Sequence, residues 1–309
     1  MAYSLVSYDT LTCLLMKIEK ISNNTEIGLN SKSNVSVKEM DNITEVRYSL
    51  NNVGGFIKKI DKDYYYDIRT GEVKQFKHTD NRKQNKESVS RSLRNLRDII
   101  NTNIIDYKKV LWITLTYKEN MTDSKRLYND FRKFHMRLKR YIKKNNLPNY
   151  EYINVGEPQR RGAWHLHILL IFSKTAPFIK KTILERIWGF GFVSINKLKQ
   201  IDNVGVYLTA YLSNYCLDQD EAELNTNKKS IIKGARLRMY PPGFKIYRCS
   251  KGIKKPIKYD CIEEDIQEKL SNDILTYQKT IQLVKEDGKI INKLNYRHYN
   301  KIKKVKANK

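Results

Sequence analysis

The clearest periodic pattern along the chain is an apolar stripe between residues 122 and 144. Its members recur every three or four positions, which places them on one face of a helix. They are Leu127, Phe131, Phe134, Leu138 and Ile142. Thr122 or Asp123 is suited to cap the first turn, because a short polar side chain accepts hydrogen bonds from free backbone N–H groups. The pattern predicts an amphipathic helix.

Short apolar segments on either side of this helix are rich in β-branched and aromatic residues, as is typical of strands. They cover residues 109–117, 150–157, 163–172 and 192–198. "PQRRG" joins the second and third, and a connection this short pairs two strands antiparallel. Further helices are predicted at 178–191, with Gly189 and Gly191 at its end, and at 202–217. We therefore expect an α+β fold, in which flanking helices cover a central antiparallel sheet.

The chain divides into three parts by pattern. Residues 1–90 are polar and partly loose, with a hairpin predicted at 63–76 because a Thr-Gly turn separates two β-prone arms. Residues 91–256 contain the alternating strands and helices described above. Residues 257–309 are expected to form a basic, mainly helical tail.

Charge narrows the class of partner. The chain has 309 residues, and 59 Lys and Arg against 33 Asp and Glu give a net charge of +26. Nucleic acid is the leading partner for such an excess, an anionic membrane is second, and a ribosomal-type structural protein is a third reading. No run of about 18 apolar residues predicts a membrane-spanning helix.

The first residues lack the basic start of a signal peptide, so we expect a cytoplasmic protein. The four cysteines form no C-x-x-C pair and are expected to be free thiols: Cys13, Cys216, Cys249 and Cys261. No phosphate-binding loop of the G-x-x-x-x-G-K-[ST] type is present, so ATP-driven motor activity is not expected in this chain.

A pair of histidines interrupts the apolar strand at 163–172. Successive strand side chains alternate between faces, so His165 and His167 point to the same side. Glu157 ends the preceding strand, and hairpin pairing would bring it opposite His165. Two imidazoles and one carboxylate suit Mg²⁺ or Mn²⁺, and also Zn²⁺. The alternative is that the histidines are packed and hydrogen-bonded without a metal.

Three tyrosines recur at helical spacing further along. Tyr207, Tyr211 and Tyr215 lie four residues apart and share one face of the predicted helix at 202–217. They either form a packing stripe or supply a nucleophile. A phenol attacks poorly at neutral pH, but a divalent cation that polarises a phosphodiester offsets this weakness.

The segments "LWITLTY", "GEPQRRGAWHLHILLIF" and "YLTAY" resemble, in order and rough spacing, the three motifs of HUH-endonuclease rolling-circle replication initiators. "KGARLRMYPPGFKIYRCSKGIKKP" is similar to the segment that follows the tyrosine motif in initiators of plasmids and mobile elements of low-GC bacteria. The resemblance covers roughly residues 90–256.

The resemblance implies a single-strand DNA endonuclease and ligase that acts at an origin. It implies Mg²⁺ or Mn²⁺ as the cofactor, a 5′-phosphotyrosine intermediate and a free 3′-OH for a host polymerase. His165, His167 and Glu157 match the metal ligands, and Tyr207 and Tyr211 match the two tyrosines. Because the chain lacks a phosphate loop, a host helicase is the expected partner.

One position departs from the motif, and several basic residues are DNA-binding candidates. Ala210 stands where many members carry a lysine, and Lys197 or Lys199 is the expected substitute. The candidates for DNA binding are Arg160, Arg161, Lys199, Arg236, Arg238, Lys251, Lys254 and Lys255. Alternative functions are an HUH-type transposase or relaxase, or a catalytically weak DNA-binding protein on the same fold.

Overall fold

The structure is a computed structural model that describes residues 19–23, 29–51, 57–67, 71–76, 86–159, 161–196, 198, 239–284, 288 and 290–301. Within these residues, strands and helices form three antiparallel sheets with helices packed against them. The predicted α+β class, with a central antiparallel sheet and flanking helices, is confirmed.

The described helices are α1 (Lys86–Asn103), α2 (Ser124–Lys144), α3 (Lys181–Trp188) and α4 (Glu263–Lys269). The strands are β1 (Glu19–Asn23), β2 (Asn34–Met40), β3 (Ile43–Ser49), β4 (Ile57–Lys59), β5 (Tyr64–Asp67), β6 (Glu72–Gln75), β7 (Val110–Tyr117), β8 (Tyr150–Pro158), β9 (Trp164–Phe172), β10 (Gly191–Asn196), β11 (Tyr247–Cys249), β12 (Ile257–Ile262), β13 (Ile274–Val284) and β14 (Ile290–Asn300).

The central sheet has five strands in the order β10-β7-β9-β8-β11. Its apolar positions and those of α1, α2 and α3 form the main hydrophobic core. Helix α2 begins after Asp123, whose carboxylate accepts hydrogen bonds from the backbone N–H groups of Lys125 and Arg126. The five residues of the predicted apolar stripe are all buried, so the periodicity identified this helix correctly. Helix α3 ends at Gly189, which has the left-handed φ of 73° that glycine tolerates best.

Helix α2 covers one particular face of the central sheet. The Tyr117 hydroxyl on β7 donates a hydrogen bond to Asp130 of α2, at 3.2 Å. The rings of Phe131 on α2 and Tyr152 on β8 lie 5.0 Å apart. Because strand side chains alternate, neighbouring positions such as Thr116 point to the opposite face, away from α2.

The six-stranded sheet joins the two ends of the chain, in the order β1-β13-β14-β3-β2-β12. The predicted mainly helical tail at 257–309 is wrong for the described part of that range, since only α4 is helical and β12, β13 and β14 are strands. The "ILTYQKTIQLV" segment of β13 is rich in β-branched residues, and its partners on both sides supply a complete ladder.

A small apolar cluster and a network of ion pairs hold this sheet in place. Ile266 and Leu270, in and just after α4, pack with Val35, Val37 and other apolar side chains of the sheet. Lys38 of β2 pairs with Asp98 of α1 at 2.9 Å, so the sheet is also tied to the helix that precedes the central sheet.

The remaining sheet is small and has the order β4-β5-β6. The hairpin expected at 63–76 coincides with β5 and β6, in which Tyr64 pairs with Gln75 and Asp67 with Glu72. The three-part division of the chain stays a prediction, although strand pairing places parts of its first and last segments in one sheet.

Candidate metal centre

The register of the central sheet brings Glu157, His165 and His167 together. Strands β8 and β9 pair antiparallel without a break in register, and Glu157 lies directly opposite His165. The expected hairpin geometry is therefore confirmed. His167 is two residues further along β9 and points to the same face. We call these three residues the triad.

Both imidazoles direct the same nitrogen at the same carboxylate oxygen. His165 Nε2 lies 3.1 Å from Glu157 Oε2, and His167 Nε2 lies 3.0 Å from it. One ligand atom from each of the three residues lies within 4.8 Å of the others. Glu157 and His167 are buried, while His165 is partly exposed, so the triad is open to solvent on the His165 side.

These separations suit a small divalent cation. Ligand atoms held about 2.1 Å from a cation at right angles to one another are about 3.0 Å apart. The two nitrogen–oxygen distances match that spacing. The donor set of two imidazoles and a carboxylate is accepted by Mn²⁺ and Zn²⁺, and Mg²⁺ favours its carboxylate oxygen. The triad therefore fits a divalent metal.

The electrostatics keep the carboxylate charged. Burial alone would raise the pKa of Glu157, because it penalises the ionised form. The hydrogen bonds and charge interactions with His165 and His167 outweigh burial and lower the pKa to about 2. Glu157 is thus an anionic ligand across the neutral pH range.

Two neighbouring residues contact the other nitrogen of each imidazole, and sequence reasoning assigned no chemical role to either. Thr114 lies opposite His167 in the β7–β9 pairing, and its hydroxyl oxygen is 3.0 Å from His167 Nδ1. Gln159 Nε2 is 3.5 Å from His165 Nδ1. The β7–β9 register is the signal that identifies Thr114, and it becomes visible only once the two strands are paired.

An exposed aromatic side chain lies in the same row of the sheet. Phe192 on the edge strand β10 pairs with Thr116, which in turn pairs with His165. Directly paired residues share a face, so Phe192 lies on the triad face. It is 59% exposed, although burial is usual for a phenylalanine.

The predicted DNA-binding residues fall into three groups. Arg161 lies in the β8–β9 turn, where its guanidinium donates a hydrogen bond to the Gln159 side chain at 3.2 Å, close to the triad. Lys251, Lys254 and Lys255 are exposed, but they lie near the opposite end of β8, since Gly252 N–H donates to Glu151 and Lys254 N–H to Asn103. Outside the described residues are Arg160, Lys199, Arg236 and Arg238.

The candidate nucleophiles are not described. Tyr207, Tyr211 and the intervening Ala210 lie in the undescribed range 199–238. Of the cysteines, Cys249 and Cys261 are free and half-buried, and the other two are also outside the described residues. No helix among the described residues is long and apolar enough to span a membrane.

Comparison with known families gives one match. A family model for replication-associated proteins of the ORF2 type matches residues 110–215, about one third of the chain. This range includes the triad and both candidate tyrosines. No curated protein and no solved structure matches the chain. The family match supports a rolling-circle replication initiator family and a role in DNA replication.

Proposed function

We propose that the protein is a metal-dependent, site-specific endonuclease that nicks and rejoins one DNA strand at an origin of rolling-circle replication, with an HUH-type centre. The observation that carries this proposal is the convergence of both imidazole Nε2 atoms on Glu157 Oε2, within a segment that matches a replication-associated family. The net charge of +26 is suited to a polyanionic substrate.

Glu157, His165 and His167 are the proposed ligands of Mg²⁺ or Mn²⁺. The bound cation would polarise the scissile phosphate and neutralise charge that develops on it. When Nε2 of His167 binds the cation, Nδ1 carries the ring proton and donates it to the Thr114 hydroxyl, which holds the ring in place. Gln159 is placed to orient His165 in the same way.

Tyr207 is the proposed nucleophile, with Tyr211 as the second tyrosine. The phenol oxygen attacks phosphorus and loses its proton, while the bond from phosphorus to the 3′ oxygen breaks and that oxygen takes up a proton. The products are a 5′-phosphotyrosine link and a free 3′-OH. The energy of the phosphodiester is conserved, so the reverse reaction rejoins the strand without ATP. The 3′-OH is the primer for a host polymerase, and a host helicase would unwind the duplex.

The test is adduct formation on single-stranded origin DNA. The protein is incubated with labelled oligonucleotides and Mn²⁺, and the products are resolved on a denaturing gel. We expect a covalent protein–DNA adduct that EDTA prevents. Adduct loss in Tyr207→Phe but not in Tyr211→Phe identifies the nucleophile. If the wild type forms no adduct on any oligonucleotide from the element's own origin, the endonuclease proposal is wrong.

Glu157→Gln and Glu151→Gln form a matched pair for the metal. Both glutamates lie on β8, but Glu151 is at the far end, where it accepts a hydrogen bond from Gly252 N–H. We expect Glu157→Gln to abolish adduct formation and Glu151→Gln to retain it. Equal loss in both variants would point to a folding defect of β8 in place of a metal ligand.

A further inference from the structure

Helix α2 carries an unusual concentration of positive charge. Nine of its 21 residues are basic, and its one acidic residue, Asp130, is only 1% exposed. The basic residues are Lys125, Arg126, Arg132, Lys133, Arg137, Lys139, Arg140, Lys143 and Lys144. All are exposed except Arg137, which is half-buried against the Phe190 ring. We call the exposed side of this helix the α2 basic face.

Most of this charge is not neutralised by the protein. Arg126 pairs with Glu119 and Asp130, and Lys133 pairs with Asp130. Among the residues that the structure describes, no carboxylate lies within 4.0 Å of the remaining exposed cations on the second half of the helix. These are Arg132, Lys139, Arg140, Lys143 and Lys144.

The spacing of these cations disfavours the helix itself. Lys139 and Lys143 are four residues apart, as are Arg140 and Lys144, so like charges are neighbours on the helix surface. A glutamate at the first position of either pair would stabilise the helix. The chain therefore tolerates a repulsion that a bound polyanion would relieve.

The α2 basic face is separated from the triad by the sheet. Helix α2 packs against the side chains of Tyr117 and Tyr152, and a Cβ on Gly156 would meet Leu127 of α2 at 3.2 Å. These positions alternate with Thr116 and Glu157, which face the other way. A strand segment bound at the triad therefore does not lie along the α2 basic face, and the helix contacts a different stretch of polymer.

We propose that the α2 basic face binds the phosphate backbone of double-stranded DNA outside the segment that is cleaved. Twenty-one helical residues span about 31 Å, close to the roughly 34 Å of one turn of duplex DNA. The choice of DNA as the occupant rests on the proposed function, because an origin presents duplex beside its single-stranded nick site. Backbone contacts of this kind position a protein without reading sequence.

The test uses Lys139→Glu combined with Arg140→Glu in the full chain. Binding to a labelled duplex of about 30 base pairs, roughly three turns, is measured in EDTA over a range of salt concentrations. We expect affinity to fall at least about tenfold, and the slope of log affinity against log salt to decrease by about 2. The melting temperature should stay the same or rise by about 2 °C, because each glutamate gains a lysine partner four residues on.

Lys58→Glu with Lys59→Glu is the matched control. These lysines are exposed on β4, and their replacement changes the net charge by the same amount. We expect the control to leave duplex affinity within about threefold of wild type. Equal loss in both double variants would overturn the proposal, since it would show a response to net charge alone. Unchanged duplex binding with reduced binding to vesicles of anionic lipid would overturn it in favour of a membrane surface.

Nicking of a short single-stranded oligonucleotide separates this proposal from the proposed function. The α2 variant should form the covalent adduct at the wild-type rate on that substrate, since the triad is on the other face. Absence of the adduct in the wild type would contradict the proposed function and leave the duplex measurement interpretable. Loss of the adduct in the variant alone would contradict the separation of the two surfaces.

Discussion

Thr114 Oγ1 lies 3.0 Å from Nδ1 of His167, and Nε2 of the same ring lies 3.0 Å from Glu157. The imidazole is therefore held from both sides, by β7 on one and β8 on the other. A ring fixed in this way presents Nε2 to a cation without having to give up rotational freedom on binding. This relationship assigns a purpose to the "LWITLTY" segment, whose threonines had no chemical role in the sequence-based prediction.

The first prediction concerns Thr114. Thr114→Val keeps the shape of the side chain but removes the hydroxyl, so Nδ1 of His167 loses its partner. We expect Mn²⁺ affinity, measured by calorimetric titration, to fall by about 10- to 100-fold. Thr114→Ser restores the hydroxyl and should bind within a few-fold of wild type. If Thr114→Val binds Mn²⁺ as tightly as wild type, Thr114 does not position the ligand.

The second prediction concerns metal binding and stability. A ligand that binds only the folded state stabilises it, by about 2.7 kcal/mol at a concentration 100 times its dissociation constant. We expect Mn²⁺ to raise the melting temperature of wild type and of Glu151→Gln. In Glu157→Gln the anionic ligand is gone, and the melting temperature should not respond to Mn²⁺. A full response in Glu157→Gln would exclude Glu157 as a ligand.

The third prediction concerns Phe192. Its exposed ring lies in the same cross-strand row as Thr116 and His165, where a base of single-stranded DNA can stack on it. Phe192→Ala should weaken single-strand binding by about 1–3 kcal/mol, and Phe192→Trp should preserve it.

Phe178 is the control for that measurement. It is 89% exposed, but it lies in the loop before α3 and outside the row. Phe178→Ala should bind single-stranded DNA as wild type does. Parallel losses in the two alanine variants would mean that binding follows surface hydrophobicity and not position beside the triad.

The fourth prediction concerns pH and the six-stranded sheet. Glu263 at the start of α4 and Arg297 on β14 form a buried, two-pronged ion pair with distances of 2.5 and 2.6 Å. Burial opposes ionisation of Glu263, but the hydrogen bonds from Arg297 and Gln267 outweigh it and lower the pKa of Glu263. Glu263→Gln leaves the guanidinium without its counter-charge and should cost about 3–5 kcal/mol of unfolding free energy at pH 7.

The pH dependence follows from the direction of that shift. A carboxyl whose pKa is lower in the folded state contributes stability above its unfolded value of about 4.3, and that contribution is lost as pH falls through the folded value. Urea unfolding at pH 7 and near pH 3 should therefore show the gap between wild type and Glu263→Gln narrowing in acid. A gap of constant size would mean that the ion pair is not the source of the difference.

The sequence by itself determined the elements whose pattern is local. The period of the apolar stripe defined α2, because an isolated amphipathic face has one way to be buried. Strand alternation placed His165 and His167 on one face, and the short "PQRRG" connection placed Glu157 opposite His165. These relationships span ten residues or fewer, so no long-range pairing was needed to foresee them.

Only the tertiary structure decided the relationships that depend on distant pairing. Thr114 meets His167 because β7 pairs with β9, across 53 residues and an intervening helix. The tail predicted as helical contains strands because β12 pairs with β2 and β14 with β3, more than 200 residues earlier. A strand's backbone hydrogen bonds go to another segment, whereas a helix satisfies its own. The local sequence therefore cannot identify the partner that makes a strand stable.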